Sequence, residues 1–144
     1  AEAKARDVSA RHPGAVVIGC DQTLSFRGEV LHKCFDRAEA RQRLKAMAGA
    51  THELNSAFAL VRDGALLDQH VAIARLTMRA FGEAFIDAYL DQAGADVLAS
   101  VAAYQIEGRG IQLIAAIDGD YFTIAGLPLL PLLASLRDLG AIDA

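Results

Sequence analysis

The period of the apolar positions changes several times along the chain, and each change marks an element. Ala3, Ala5 and Val8 lie on one side of residues 1–11 and predict a helix. His12-Pro13-Gly14 stops it, because proline disfavours helical backbone in the residue before it. Ala15 to Cys20 predicts a short buried strand, and the polar run Asp21-Gln22-Thr23 follows abruptly. Leu24 to Phe26 and Val30 to His32 read as a hairpin around Arg27-Gly28-Glu29. Asp36, with Glu39 three residues on, predicts a helix start with a capping-box-like pair. That helix runs to about Ala48, turns Ala40, Leu44 and Met47 inward, and stops at Gly49.

Thr51 to Arg62 and Ala65 to Arg79 predict two long strands, with Asp63-Gly64 as the tight turn between them. In the second, Ala72, Ala74, Leu76 and Met78 alternate with a face that ends polar and basic. Glu83 to Gln92 predicts a helix with Phe85, Ile86, Tyr89 and Leu90 as its apolar stripe. Gly110 to Ile117 reads as an apolar strand that Asp118-Gly119-Asp120 turns into Tyr121 to Ile124. Pro128 opens a last helix, in which Leu129, Leu132, Leu133 and Leu136 form one stripe and Gly140 marks the end. That stripe reads first as core and second as a homodimer face. The interleaving of helices and strands predicts a mixed α/β class, one curved sheet with helices packed around it.

Composition narrows the function classes. The 144 residues carry 14 Lys and Arg against 18 Asp and Glu, a net charge of −4, and 53% are apolar. This suits a globular domain with a real core and excludes a disordered chain. An acidic balance without Trp argues against a binder of nucleic-acid polymers, yet leaves room for a local pocket for one phosphate ester. Cys20 and Cys34 form no framework and read as reduced thiols of a cytoplasmic protein. No membrane partner is expected, because the longest apolar run, Ile124 to Leu136, is too short to cross a bilayer and contains Pro128 and Pro131.

Candidate chemistry concentrates where the first strand gives way to Asp21-Gln22. A carboxylate at a strand's carboxyl edge holds a divalent cation or orients a water; it also serves simply to cap a turn. Asp21-Gln22-Thr23 does not make an aspartyl-phosphate motif of haloacid-dehalogenase type, since Thr23 stands where a second Asp is required. Lys33 is either a phosphate partner or a solvated surface lysine. The small residues from Ala99 to Ala103, then Tyr104 and Glu107-Gly108, suit close approach of a ligand or an ordinary loop. The entry Gly126-Leu127-Pro128-Leu129 is a helix start with or without an anion on it. His12, His32, His52 and His70 share no metal-ligand spacing and read as structural or surface residues.

In order, Ile18-Gly19-Cys20-Asp21-Gln22, Lys33, the helix from Ala38 to Gly49 followed by Thr51-His52-Glu53, Thr77-Met78-Arg79, Tyr104-Gln105-Ile106-Glu107-Gly108 and Gly119-Asp120-Tyr121 leading to Gly126-Leu127-Pro128-Leu129 resemble the Maf nucleotide pyrophosphatases over essentially the whole chain. The resemblance implies one domain over residues 1–144. Its fold would be an elongated mixed α/β sheet with packed helices and a two-lobed cleft, similar to the inosine-triphosphate pyrophosphatases. It implies hydrolysis of a nucleoside triphosphate to the monophosphate and pyrophosphate with a divalent cation, Mg or Mn, as a house-cleaning activity on non-standard nucleotides.

By the same resemblance, Asp21 is the general base and the metal ligand, Lys33 neutralises phosphate charge although its flanks depart from the family's Gly-Lys-Pro, and Ser56 stands where the family often has Thr. Gln22 and Glu107 match the pair carried by members acting on 7-methyl-GTP. Chemically, a carboxylate accepts from guanine N1–H and the exocyclic amine and favours a cationic base. Ala99 and Ser100, in place of the Asp-Lys of pyrimidine-type members, agree with that subgroup. The family's N-terminal strand and loop, with a Ser and paired Arg, have no match in these residues. The expectation for the 144 residues by themselves is therefore weak or no turnover, with a gain on restoring that segment. The alternatives are a dTTP/UTP pyrophosphatase of the same family, and a non-catalytic nucleotide- or partner-binding protein linked to cell division.

Overall fold

A computed structural model describes residues 1–143. In chain order it contains α1 (Glu2–Ser9), β1 (Val17–Phe26), β2 (Glu29–Leu31), α2 (Arg37–Met47), β3 (Thr51–Arg62), β4 (Ala65–Met78), α3 (Glu83–Ala93), β5 (Ile114–Asp118), α4 (Tyr121–Ala125) and α5 (Leu129–Asp138), with 3-10 turns at Gly94–Ala99 and Arg109–Leu113. The strands form one open sheet in the order β2-β1-β3-β4-β5. The β1–β2 and β4–β5 pairs are antiparallel, and the two-residue link from β3 to β4 requires the same of that pair. The α/β class expected from the sequence is the one observed.

Backbone chemistry sets the turns. Asp63 and Gly64 both have positive φ, 48° and 76°, as a primed hairpin turn demands. Arg27 and Gly28 do the same between β1 and β2. Asp36 caps α2 by accepting from the Glu39 amide at 2.8 Å, and the Glu39 carboxylate accepts in return from the Phe35 amide at 2.8 Å.

Three expectations are corrected. The first strand is neither short nor buried: it runs on through Asp21 to Phe26, with Ile18 46% exposed. Asp21 therefore lies inside a strand and not at its carboxyl edge, because Leu24 and Phe26 continue the apolar alternation into the next hairpin. Residues 109–113 wind into a 3-10 turn and β5 begins only at Ile114. Tyr121 to Ala125 form a helix, because Asp120 accepts from the Thr123 amide at 3.0 Å and so caps a first turn.

The chain divides into two compact units, residues 1–22, 55–73 and 120–144 in the first and 23–54 and 74–119 in the second. In the first, Phe58 and Leu60 of β3 pack with Leu132 and Leu136 of α5, while Leu127 and Leu129 of the helix entry close on the same cluster. Leu129, Leu132 and Leu136 of the leucine stripe thus belong to the core. In the second, Ala40, Leu44 and Met47 of α2 and Ile86 and Leu90 of α3 are buried with Leu24, Leu54 and Leu76 from the strands. Arg37, Arg41 and Lys45, one helical turn apart, face Asp91, Asp87 and Glu83 across the two helices, with Arg41 2.6 Å from Asp87 and Arg37 2.6 Å from Asp91.

Helix α1 sits on β1 at Gly19. A Cβ there would lie 2.5 Å from the Ala1 carbonyl oxygen and 2.8 Å from the Ala5 Cβ. Gly19→Ala is therefore expected to cost about 1–3 kcal/mol by forcing helix and strand apart. Denaturant unfolding of the variant beside the parent measures it.

Candidate functional site

Strand periodicity places Gly19 and Asp21 on one face of β1 and Gln22 on the other. The face of Gly19 is the one α1 covers. Lys4, on that helix beside Ala5, donates to Asp21 Oδ1 at 2.6 Å. Both side chains stay open to solvent, 64% for Lys4 and 48% for Asp21. The hydrogen bond from Lys4, reinforced by its charge, holds the Asp21 carboxyl below the usual carboxylate range and raises Lys4 in turn. Sequence reasoning missed Lys4, because nothing local relates it to a carboxylate 17 residues on. The signal was its helical position next to Ala5, which the packing on Gly19 turns toward β1.

On the opposite face, Gln22 and Ser56 meet. The two N–H of Gln22 Nε2 are shared among Ser56 Oγ at 2.9 Å, the Thr123 carbonyl at 3.1 Å and the Ile124 carbonyl at 3.0 Å. Ser56 is fully buried and its hydroxyl donates to the Thr123 carbonyl at 2.6 Å. The Gln22 amide nitrogen is therefore committed to last-turn carbonyls of α4.

The two other predicted residues belong to the second unit. Lys33 is exposed on the link between β2 and α2. Glu107 is exposed on a turn that follows buried Tyr104 and Ile106. Each has buried support. The Tyr104 hydroxyl is 2.7 Å from His52 Nε2, and Arg43, with only 8% of its side chain exposed, reaches the carbonyls of His32 and Val101. Gly110 lies so close to the Gln105 carbonyl that a Cβ there would collide with it.

Among the described residues no group of three or more His, Cys, Asp or Glu is disposed to hold a metal. A lone exposed carboxylate fits a hard divalent cation that arrives with substrate phosphates, the usual manner for Mg, and does not fit a resident cage. No helix among the described residues is long and apolar enough to cross a membrane. Cys20 is exposed and Cys34 buried, both as free thiols.

His52 is 1% exposed, its Nδ1 has no hydrogen-bond partner among the described residues, and burial pulls its pKa down to about 4. The unfolded chain takes up this proton near 6.5 and the folded chain only near 4. Stability is then full above the unfolded value and falls as the pH drops from about 6.5 to about 4, by about 3 kcal/mol in all. Urea titrations across that window are expected to show the loss, and His52→Asn is expected to flatten it.

The family model for Maf-like protein matches residues 1–139. A 7-methyl-GTP pyrophosphatase of Mesorhizobium japonicum is 63% identical over 143 residues, 99% of this chain and 72% of that protein. One of Brucella suis is 59% identical over the same shares. A nucleoside triphosphate pyrophosphatase of Nitrobacter winogradskyi is 55% identical over 134 residues, 93% of this chain and 66% of that protein.

Proposed function

The chain belongs to the Maf-like protein family, and on that premise we propose that it hydrolyses 7-methyl-GTP or a closely similar modified purine nucleotide to the monophosphate and pyrophosphate. It is a nucleotide pyrophosphatase, a hydrolase of phosphoric anhydrides. The observation that carries the reading is 63% identity to a protein of that name across 99% of the chain. The Gln22 and Glu107 pair supports the choice of base.

In this reading the water oxygen attacks the α-phosphorus, the α–β anhydride bond breaks, pyrophosphate leaves with the bonding pair, and the proton released by the water passes to solvent. Asp21 faces solvent as an anion. A carboxyl held at low pKa is a weak proton acceptor, so Asp21 orients the water and holds the cation more than it removes a proton. A divalent cation, Mg or Mn, held by Asp21 and the substrate phosphates, would supply charge neutralisation and lower the pKa of the water. Lys4 holds the Asp21 carboxylate in place through Oδ1. Lys33 contributes a point charge toward phosphate. Glu107 accepts from the Watson–Crick edge of the guanine. Gln22 fixes Ser56 and the end of α4. A cytoplasmic setting suits a triphosphate substrate.

Pyrophosphate release by the full-length protein with Mg or Mn tests this over 7-methyl-GTP, GTP, dTTP and UTP. The expected preference is 7-methyl-GTP, with turnover reduced about 100-fold or more in Asp21→Asn. Glu107→Gln is expected to cost about ten-fold on the methylated substrate, the worth of one charge-assisted hydrogen bond, and less on UTP. A preference for dTTP and UTP would move the chain to the pyrimidine-specific reading. Tight binding without release, unchanged in Asp21→Asn, would make it a binder.

A further inference from the structure

The buried face of the second unit holds a side chain that the proposed chemistry does not use. Arg43 projects from α2 with 8% of its side chain exposed. Its Nη1 donates to the His32 carbonyl and, at 2.6 Å, to the Val101 carbonyl, and its Nη2 donates to Glu39 at 3.0 Å. His32 immediately precedes Lys33, and Val101 opens the loop that leads to Glu107. Glu39 itself accepts from the Phe35 amide at 2.8 Å. The link bearing Lys33 is thus pinned on both sides, at His32 by Arg43 and at Phe35 by Glu39, which Arg43 also holds.

The loop on the other side is under strain. Ala103 is fully buried with φ of 58°, a left-handed conformation that a residue with a Cβ disfavours. Such a residue persists only where its surroundings fix it. Here the fixing contacts flank it, Arg43 on Val101 and His52 on Tyr104. A guanidinium is suited to this task, since one rigid plane sets Nη1 on the two carbonyls and Nη2 on Glu39 together, whereas a lysine ammonium carries its donors on one nitrogen at the end of a shorter, flexible stem.

We propose that Arg43 is a positioning residue for nucleotide recognition, joining the backbone that presents Lys33 to the loop that presents Glu107. The role rests on the reading that Lys33 and Glu107 meet the substrate. It acts on ground-state binding and base preference, and leaves the water and the reacting phosphorus to other groups.

The test compares the full-length parent with Arg43→Lys, Arg43→Met and, as a control on the exposed side of the same helix, Arg37→Met, which loses the Asp91 ion pair and a bond to the Asp87 carbonyl. Amide hydrogen exchange without nucleotide reads the hold on residues 32–35 and 101–108. Kinetics on 7-methyl-GTP and UTP reads its consequence. Both Arg43 variants are expected to exchange faster in both segments and to raise KM for 7-methyl-GTP about ten-fold, one charge-assisted hydrogen bond, with kcat retained and the preference over UTP reduced. Arg37→Met is expected to match the parent. Unchanged exchange in Arg43→Lys, or faster exchange with KM and preference unmoved, would overturn the proposal. A parent that releases no pyrophosphate from any nucleotide would overturn the functional reading instead, and the exchange data alone would then decide whether Arg43 holds the two segments.

Discussion

The close approach of α1 to β1 at Gly19 is the contact on which the first unit's chemistry depends. Without a side chain at that position, the helix settles with Ala1 and Ala5 directly over the strand. That seating turns Lys4 onto Asp21. A pair this exposed contributes little to stability. Its consequence is geometric: it fixes one carboxylate rotamer at the surface. The same strand turns Gln22 to the other side, where its amide closes over Ser56 and the end of α4. One strand therefore serves an open charged face and a sealed polar one.

The second unit solves a different problem, the presentation of exposed groups on irregular backbone. Lys33 and Glu107 stand on a link and a turn, where few contacts restrict them. Rigidity comes from behind. Arg43 and Glu39 on α2 hold one segment, and Arg43 with the His52–Tyr104 pair holds the other. The buried histidine is neutral, so it anchors the tyrosine hydroxyl without carrying a charge into the core. The ladder of Arg37, Arg41 and Lys45 against α3 fixes the outer face of the same helix.

Much of this was legible in the chain. Asp63-Gly64, the Asp36 cap and the Gly49 stop act through local backbone preferences, and the structure has them where the pattern put them. Tyr121 to Ala125 was harder, because an aromatic and β-branched run suggests strand, and only the Asp120 cap and the commitment of its last carbonyls to Gln22 and Ser56 make it a helix. The length of β1 was misjudged because its polar positions look like a strand's end when they are one face of a strand that continues. Of the candidate site, Asp21, Gln22, Lys33, Ser56 and Glu107 were found through family likeness. Lys4 and Arg43 escaped because their partners are far away in sequence, and only the fold brings them there.

The account comes down to a triphosphate cut between its α and β phosphates at an exposed carboxylate. Phosphorus NMR of 7-methyl-GTP incubated with the full-length protein and Mg reads that bond directly. The account predicts equimolar 7-methyl-GMP and pyrophosphate, with no diphosphate at any time. The appearance of 7-methyl-GDP and inorganic phosphate would contradict it.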